Sequence, residues 1–408
     1  MDSNPILQAF VTSVNLAFAS NNGVALSKLF VFDDYPISTL ANRIHASDDL
    51  DYYTADIADG MHAQITLKYL DYVRDRPTAQ ATSSHAQLCH IAELFTAQLT
   101  LASGPWLLPV MRSVARALCA SAQRAHAATQ DATAFTQSAT RLLQLLIVLL
   151  GDSAPTASSK RQGALMVAAL LLRISLRTNA APGAYAGKAL EAQGLQTDPA
   201  VPMRDRVSFS YWLGRYYLTC YYIEAARTQL DRAFAMCPPW HYHNKRVILR
   251  HLFVANLLRG RLPHPALLQK YDLEPAYYQL VKCFRHGNLA RFQQTLADNM
   301  ELFRSQGHFL LLLERSKLLI FRNVLRKVHL LNQNAERSNV LQYADVLAAF
   351  RLAAAAPDMD LLEMEAILAS MISQKLVLGY LFHHQRLVNL SRKTAFPEIA
   401  HVGQTRPR

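Results

Sequence analysis

From Ser208 to Pro239 the spacing of small and aromatic residues constrains the chain to one kind of local structure, a pair of antiparallel helices. In FSYWLGRYYLTCYYIEAARTQLDRAFAMCPP, Leu213, Gly214 and Tyr217 fall on a first helix, Ala226 and Ala233 on a second, and Pro238 comes after it. The small residues let the helices approach, Tyr217 fills the groove between them, and Pro238, lacking an N–H, prevents the second helix from continuing. One such hairpin cannot bury its own apolar face, so neighbours must stack on it.

The offsets are those of the tetratricopeptide repeat, with Ser210 at the template's Trp position and Leu230 at its Phe. Residues 247–258, 276–284, 289–303 and 309–331 follow with helical apolar spacing, separated by turns at Gly260, His286-Gly287-Asn288 and Gly307. Hydrophobic residues make up 51% of the 408, and glycine supplies only 14, a balance that favours helix over strand. The polar, Pro-containing stretches 76–86 and 151–160 predict loops, and 179–202 predicts a long connection with a short helix at 186–192. The aromatics Tyr211, Trp212, Tyr216, Tyr217, Tyr221 and Tyr222, at helical spacing, predict core rather than a stacking surface.

Beyond residue 340 the period changes. A helix is predicted over 341–352, and then Asp360 as N-cap with Glu363 three residues on forms a capping box. Leu361, Met364, Ile367, Leu368, Met371 and Ile372 give that helix one apolar face, and Gly379 ends the stretch after it. Short strands are predicted at 380–383 and 386–391 around His384-Gln385. Three helices and a hairpin in this order form a winged helix. Asn389 interrupts its otherwise apolar last strand.

These residues carry a family resemblance. YWLGRYY, AFAMCPP, NKRVIL (244–249), LLRGRLP (257–263), RHGNL (285–289), LLLERSKLLIFRNVLRKVHLL (311–331) and ILASMISQKLVLGYLFHHQRLVNLS, with Phe396-Pro397, occur in a characteristic order. The series resembles the PCI-domain branch that includes the PCI subunit of the transcription-coupled mRNA export complex. That branch also holds its sisters, the twelfth-subunit-like proteins of the signalosome. The likeness covers about residues 158–397, including SKRQGALMVAALLLRISLRTN before the repeats, and is weak over the first 150 residues. It implies a mainly α fold: a right-handed stack of TPR-like helical hairpins capped by a C-terminal winged helix. The expected division is 1–157 N-terminal helical repeats, 158–313 the TPR-like part of the PCI domain, 314–393 the winged helix and 394–408 a C-terminal tail. The resemblance further implies pairing with a second, GANP-type PCI scaffold protein and with a small acidic Sem/Dss-type protein. It also implies a basic winged-helix platform for RNA or DNA and a nuclear location, with a nuclear-envelope or cytoplasmic pool.

Charge is unevenly shared. Residues 1–199 hold 14 Lys/Arg against 15 Asp/Glu, whereas residues 200–408 hold 28 against 15, so the net charge of +12 resides in the second half. A basic half suggests an acidic partner. Arg322, Arg326 and Lys327 on the long helix, Lys375 after the last helix, and Arg386, Arg392 and Lys393 around the wing are the candidate nucleic-acid contacts. Arg322 and Arg326, four apart, share a helix face. Lys245, Arg246, Arg250, Arg259 and Arg261 form a second basic group, suited to an acidic protein segment. The competing reading for the first group is a solvated face or a salt-bridged interface with the partner PCI protein, and for the second it is core packing or helix C-terminal charge pairing. The alternative function is a structural subunit of a signalosome-like assembly without nucleic acid.

Other functions find little support. Five cysteines without a CxxC predict reduced, buried thiols and a cytosolic or nuclear compartment. His241-Tyr242-His243 and His383-His384 lack metal-ligand spacing, so no metal site and no cofactor are predicted. No GxGxxG, Walker loop or GxSxG occurs, and no catalytic residues are assigned. No segment has the unbroken apolar length of a membrane span, and the N-terminus, acidic at Asp2, predicts a first amphipathic helix rather than a signal peptide.

Overall fold

The computed structural model describes residues 4–32, 41, 42, 44, 49–76, 79–178, 187, 190, 191, 193–273, 275–332 and 339–399. The chain forms two compact units, Met1–Tyr216 and Tyr217–Arg408.

In the first unit the helices are α1 (Pro5–Ala19), α2 (Gly23–Leu29), α3 (Leu50–Thr54), α4 (Gly60–Asp75), α5 (Ala81–Leu101), α6 (Leu108–Thr129), α7 (Thr133–Leu150), α8 (Ala164–Thr178) and α9 (Met203–Thr219), the last of which ends in the second unit. Asn4, Asn22 and Asp59 begin α1, α2 and α4 by accepting a backbone N–H of the first turn, which satisfies donors the helix cannot. Consecutive helices pack on one another, as short connections dictate. Phe30 anchors the core edge-on to Tyr69 (4.8 Å) and Phe95 (5.3 Å), while the Tyr69 hydroxyl donates to the Val31 carbonyl at 2.8 Å.

The predicted loop at 76–86 is shorter than expected, because α5 already begins at Ala81 and buries His85. Residues 151–160 do form a connection, pinned by the Asp152 carboxylate, which accepts from Ala154 N, Lys160 N and Ser159 Oγ. Those bonds hold its pKa below the usual carboxylate value. The helix expected at 186–192 falls largely outside the described residues. One described helix, α7, is after all long and apolar enough to cross a membrane. Its Leu142, Leu145, Leu146 and Leu149 are buried within the first unit. The first unit is also tied by a largely buried ion pair, Arg112 of α6 giving Asp205 of α9 two parallel bonds of 2.7 and 2.5 Å.

The second unit continues with α10 (Ile223–Met236), α11 (Tyr242–Leu258), α12 (Pro265–Lys270), α13 (Ala276–His286), α14 (Leu289–Asp298), α15 (Met300–Ser305), α16 (Phe309–Leu331), β1 (Val340–Gln342), α17 (Tyr343–Ala354), α18 (Leu361–Ser373), β2 (Gly379–Phe382) and β3 (Leu387–Leu390). Ala226, Leu230, Ala233 and Tyr217 are buried as the repeat pattern requires. The aromatic cluster is less buried than expected: of the six, Tyr217 alone is in the core, and Tyr221, at the turn before α10 with φ 62°, is 46% exposed under the Arg315 guanidinium. The single helix predicted over 289–303 breaks at Asn299, whose side chain donates to the Thr295 carbonyl. The turn between α13 and α14 needs Gly287, which takes φ 74° and whose missing Cβ would lie 2.6 Å from Val324 Cγ2 of α16.

The C-terminal part is a winged helix with a strand that the sequence reading missed. Residues 340–342 form β1, not the start of a helix, and pair with β3, so the sheet order is β1-β3-β2, all antiparallel. Three residues are too few to display a period of two. Gly379 accordingly opens β2 instead of ending a stretch, lying close against Asn389 of β3. Asn389 is no defect: on the central strand Val388 and Leu390 point inward and Asn389 outward, between Val340 and Tyr380. Phe321 of α16 meets Phe350 of α17 at 4.5 Å, and Leu341, Met364, Leu368 and Met371 are buried as well.

The Asp360 cap forms as expected, its carboxylate accepting from Glu363 N at 2.6 Å. Asp360→Ala should lower stability by about 1 kcal/mol. A calorimetric melt checks this, and Asp360→Asn should recover most of the loss.

Candidate nucleic-acid interface

Two basic groups far apart in sequence converge in the second unit. The turn after α11 brings Arg259 and Arg261, α16 brings Arg322, Arg326 and His329, and the segment after β3 brings Arg392 and Lys393. Together they line a cleft of about 800 Å³, in which, among the described residues, Glu398 is the one carboxylate. The sequence had assigned Arg259 and Arg261 to a protein partner, yet they share one cavity with the expected nucleic-acid set.

The cleft exists because the chain after β3 folds back over α16. Leu378 N donates to the Ala395 carbonyl at 2.9 Å, and Ser391 N donates to the Leu378 carbonyl at 2.8 Å. Arg322 secures the segment: its Nε donates to the Leu376 carbonyl at 2.9 Å and its Nη2 to the Pro397 carbonyl at 2.6 Å. Ile399 then reaches Gly260, whose φ of 73° and crowded Cβ position demand glycine.

Arg322 therefore departs from its expected role. It is only 5% exposed and holds carbonyls rather than offering charge at the surface. Burial, and then the neighbouring Arg326, pulls its pKa below the ordinary guanidinium value. Arg259 is likewise buried, at 2.9 Å from Glu224, a carboxylate that also accepts from Arg227. Glu224 is held acidic first by the Arg227 hydrogen bond and further by Arg259 and Arg261.

What remains is four exposed cations, Arg261, Arg326, Arg392 and Lys393, and among the described residues none of these makes an ion pair. Unpaired cations around one concavity form a positive field that phosphates fit.

The other expected residues lie elsewhere. Lys327 Nζ donates to the His286 carbonyl at 2.9 Å, capping α13, although it borders a smaller hollow next to Arg285 and Arg326. Lys375 and Arg386 are exposed, with positive φ, in the turns after α18 and before β3, outside the cleft. Lys245 is buried with its ammonium 4.3 Å from the Phe234 ring centre and 3.0 Å from that residue's carbonyl, so it packs the repeats instead of facing a partner. Arg246 donates to the Asp272 carbonyl at 2.9 Å. Arg250 is half-buried beside Tyr277, whose phenol burial pushes up to about 12.

The sequence reading missed His329, Asn339, Phe396 and Glu398 in the cleft wall. His329 stands three residues after Arg326 and seven after Arg322, so the helical face was legible; the return of residues 395–398 was not.

Elsewhere, His85 bridges Ser121 Oγ (2.8 Å) and Cys89 Sγ (3.4 Å), a triad-like grouping inside the first unit. Burial pushes the Cys89 thiol up to about 11 and depresses the His85 pKa, leaving a protonated thiol sealed from solvent. Among the described residues no group of three metal-ligating side chains is found, and His383 is engaged with Glu365 at 2.7 Å.

No protein-family model matches the chain. Among curated proteins it is 32% identical over 197 residues to a PCI domain-containing protein of Schizosaccharomyces pombe, covering 48% of this chain and 45% of that one. It is 34% identical over 206 residues to the PCI domain-containing protein 2 homolog of Caenorhabditis elegans, covering 49% and 47%. With PCI domain-containing protein 2 of Danio rerio the likeness extends over 308 residues at 28% identity, covering 73% and 74%. The chain thus spans about half the length of most of the relatives cited here and about three quarters of the zebrafish one. Helical repeats ending in a winged helix, together with these likenesses, support a PCI-domain protein of the branch these relatives represent.

Proposed function

We propose that this PCI scaffold subunit is a non-catalytic adaptor of the nuclear transcription-coupled mRNA export complex, binding RNA or DNA without sequence preference through the cleft at its winged helix. The observation that carries the reading is the set of four exposed cations that, among the described residues, make no ion pair and surround a concavity with a single carboxylate. Such groups bind phosphates whatever the base sequence, because phosphates are common to all of it.

A second PCI scaffold protein is the proposed protein partner. Tyr380 (76% exposed) and Phe382 (40% exposed) on β2, and the exposed Leu352 of α17 and Leu362 of α18, offer it apolar surface. Arg246 and Arg250 remain candidates for contact with a small acidic subunit, alongside their structural roles.

The test is electrophoretic. The chain, co-purified with its partner, should retard a single-stranded oligo(U) probe at low salt. Unchanged mobility, with the complex intact, would favour a purely structural assembly subunit.

A further inference from the structure

The cationic cleft also holds an aromatic ring. Phe396 lines it and is half-buried, with the His329 ring centre 5.7 Å away at an interplanar angle of 43°. The buried Arg322 guanidinium lies 5.7 Å from the Phe396 centroid. The ring is held in place from both sides along the chain. Ala395 before it accepts from Leu378 N, and Pro397 after it accepts from Arg322. An ordinary hydrophobic anchor would sink fully into the core, as Phe321 and Phe350 do. Phe396 is instead presented at the cleft wall among Arg326, Arg392 and Lys393.

We infer that the cleft is a site for single-stranded nucleic acid, in which an unpaired base stacks on Phe396 and His329 while Arg326, Arg392 and Lys393 hold the flanking phosphates. This rests on the nucleic-acid reading of the cleft and sharpens it to a substrate class. A basic groove interleaved with an aromatic ring is what an unpaired strand requires, since every base offers a π-face and stacking tolerates any sequence. A duplex keeps its bases stacked on each other and presents only its backbone, so it would meet the cations and leave the ring unused. Fixing Phe396 beforehand reduces the ordering cost of capturing a flexible strand.

The experiment uses the full-length chain with its co-purified partner, a labelled oligo(U) probe and a duplex RNA of equal length, followed by fluorescence anisotropy at low salt. Phe396→Leu should weaken oligo(U) binding by roughly tenfold, with duplex binding changed by less than about twofold and Phe396→Tyr close to the natural protein. Equal loss for both probes, or no loss for oligo(U), overturns the inference.

Because Phe396→Leu could loosen the fold-back, a second reading is independent of affinity. In Phe396→Trp the new indole should be quenched by oligo(U) beyond any quenching seen in the unsubstituted protein, and no extra quenching overturns the proposal. Should Arg326→Glu leave oligo(U) binding intact, the nucleic-acid reading of the cleft itself fails. Should Arg326→Glu abolish binding while the Phe396 variants behave alike on both probes, the stacking site alone fails. Displacement of oligo(U) by polyglutamate at equal charge concentration would mark the cleft as a protein-binding site and overturn both.

Discussion

Replacing Arg326 and Lys393 together by glutamate should weaken single-stranded RNA binding on the order of 100-fold at low salt and leave assembly with the protein partner intact. Both side chains are exposed on the cleft wall and among the described residues neither makes an ion pair, so removing them leaves no buried group stranded. Each phosphate contact releases condensed counterion, and reversal adds repulsion to that loss. Lys375→Glu and Arg386→Glu carry the same change of charge outside the cleft, and each should alter binding by about twofold at most. Arg322 behaves differently. Arg322→Met removes the bonds to Leu376 and Pro397, so its effect should appear first as a lower melting temperature. Anisotropy titrations beside thermal melts separate the two kinds of residue. Loss of partner binding together with RNA binding in the double variant would assign Arg326 and Lys393 to a protein interface.

The largest effect on stability should come from the first unit. Asp205→Ala strands the Arg112 guanidinium, whose side chain is 14% exposed, without the carboxylate that receives its two bonds. An unpaired buried charge of this kind costs about 3–5 kcal/mol, a melting-temperature drop of roughly 10 °C for a unit of this size. Arg112→Met combined with Asp205→Leu should recover most of the loss, because it replaces the charges with packing. Denaturant unfolding of the single and double variants checks both statements. A double variant as unstable as Asp205→Ala would mean that the pair contributes by geometry and not by mutual neutralisation.

The sequence foretold the fold better than the site, and the reasons are physical. Helices declare themselves through a 3.6-residue period repeated over several turns, so the repeats and the winged-helix core could be read directly. The strand at Val340–Gln342 could not, since its pairing with β3 is fixed by residues almost fifty positions away. The basic residues show the same division. Arg322 and Arg326 occupy one helical face and look equivalent in sequence. They differ because the Pro397 carbonyl, 75 residues on, closes over the first and leaves the second open. Arg259 and Arg261 likewise seemed to form a separate patch until the turn after α11 placed them against residues 391–399. Lys245 takes the core-packing alternative: a lysine can run its apolar stem into a core and end on a carbonyl and a ring, as this one does on Phe234. Charge composition alone cannot distinguish such a lysine from a solvated one.

The salt dependence of oligo(U) binding by the chain with its partner tests the cleft most directly. With four exposed cations meeting single-stranded phosphates, the logarithm of the association constant should fall against the logarithm of salt concentration with a slope of about −3. The Arg326→Glu, Lys393→Glu variant should show a slope nearer −1. A slope near zero for the natural protein, or one that the double variant leaves unchanged, would contradict phosphate binding in this cleft.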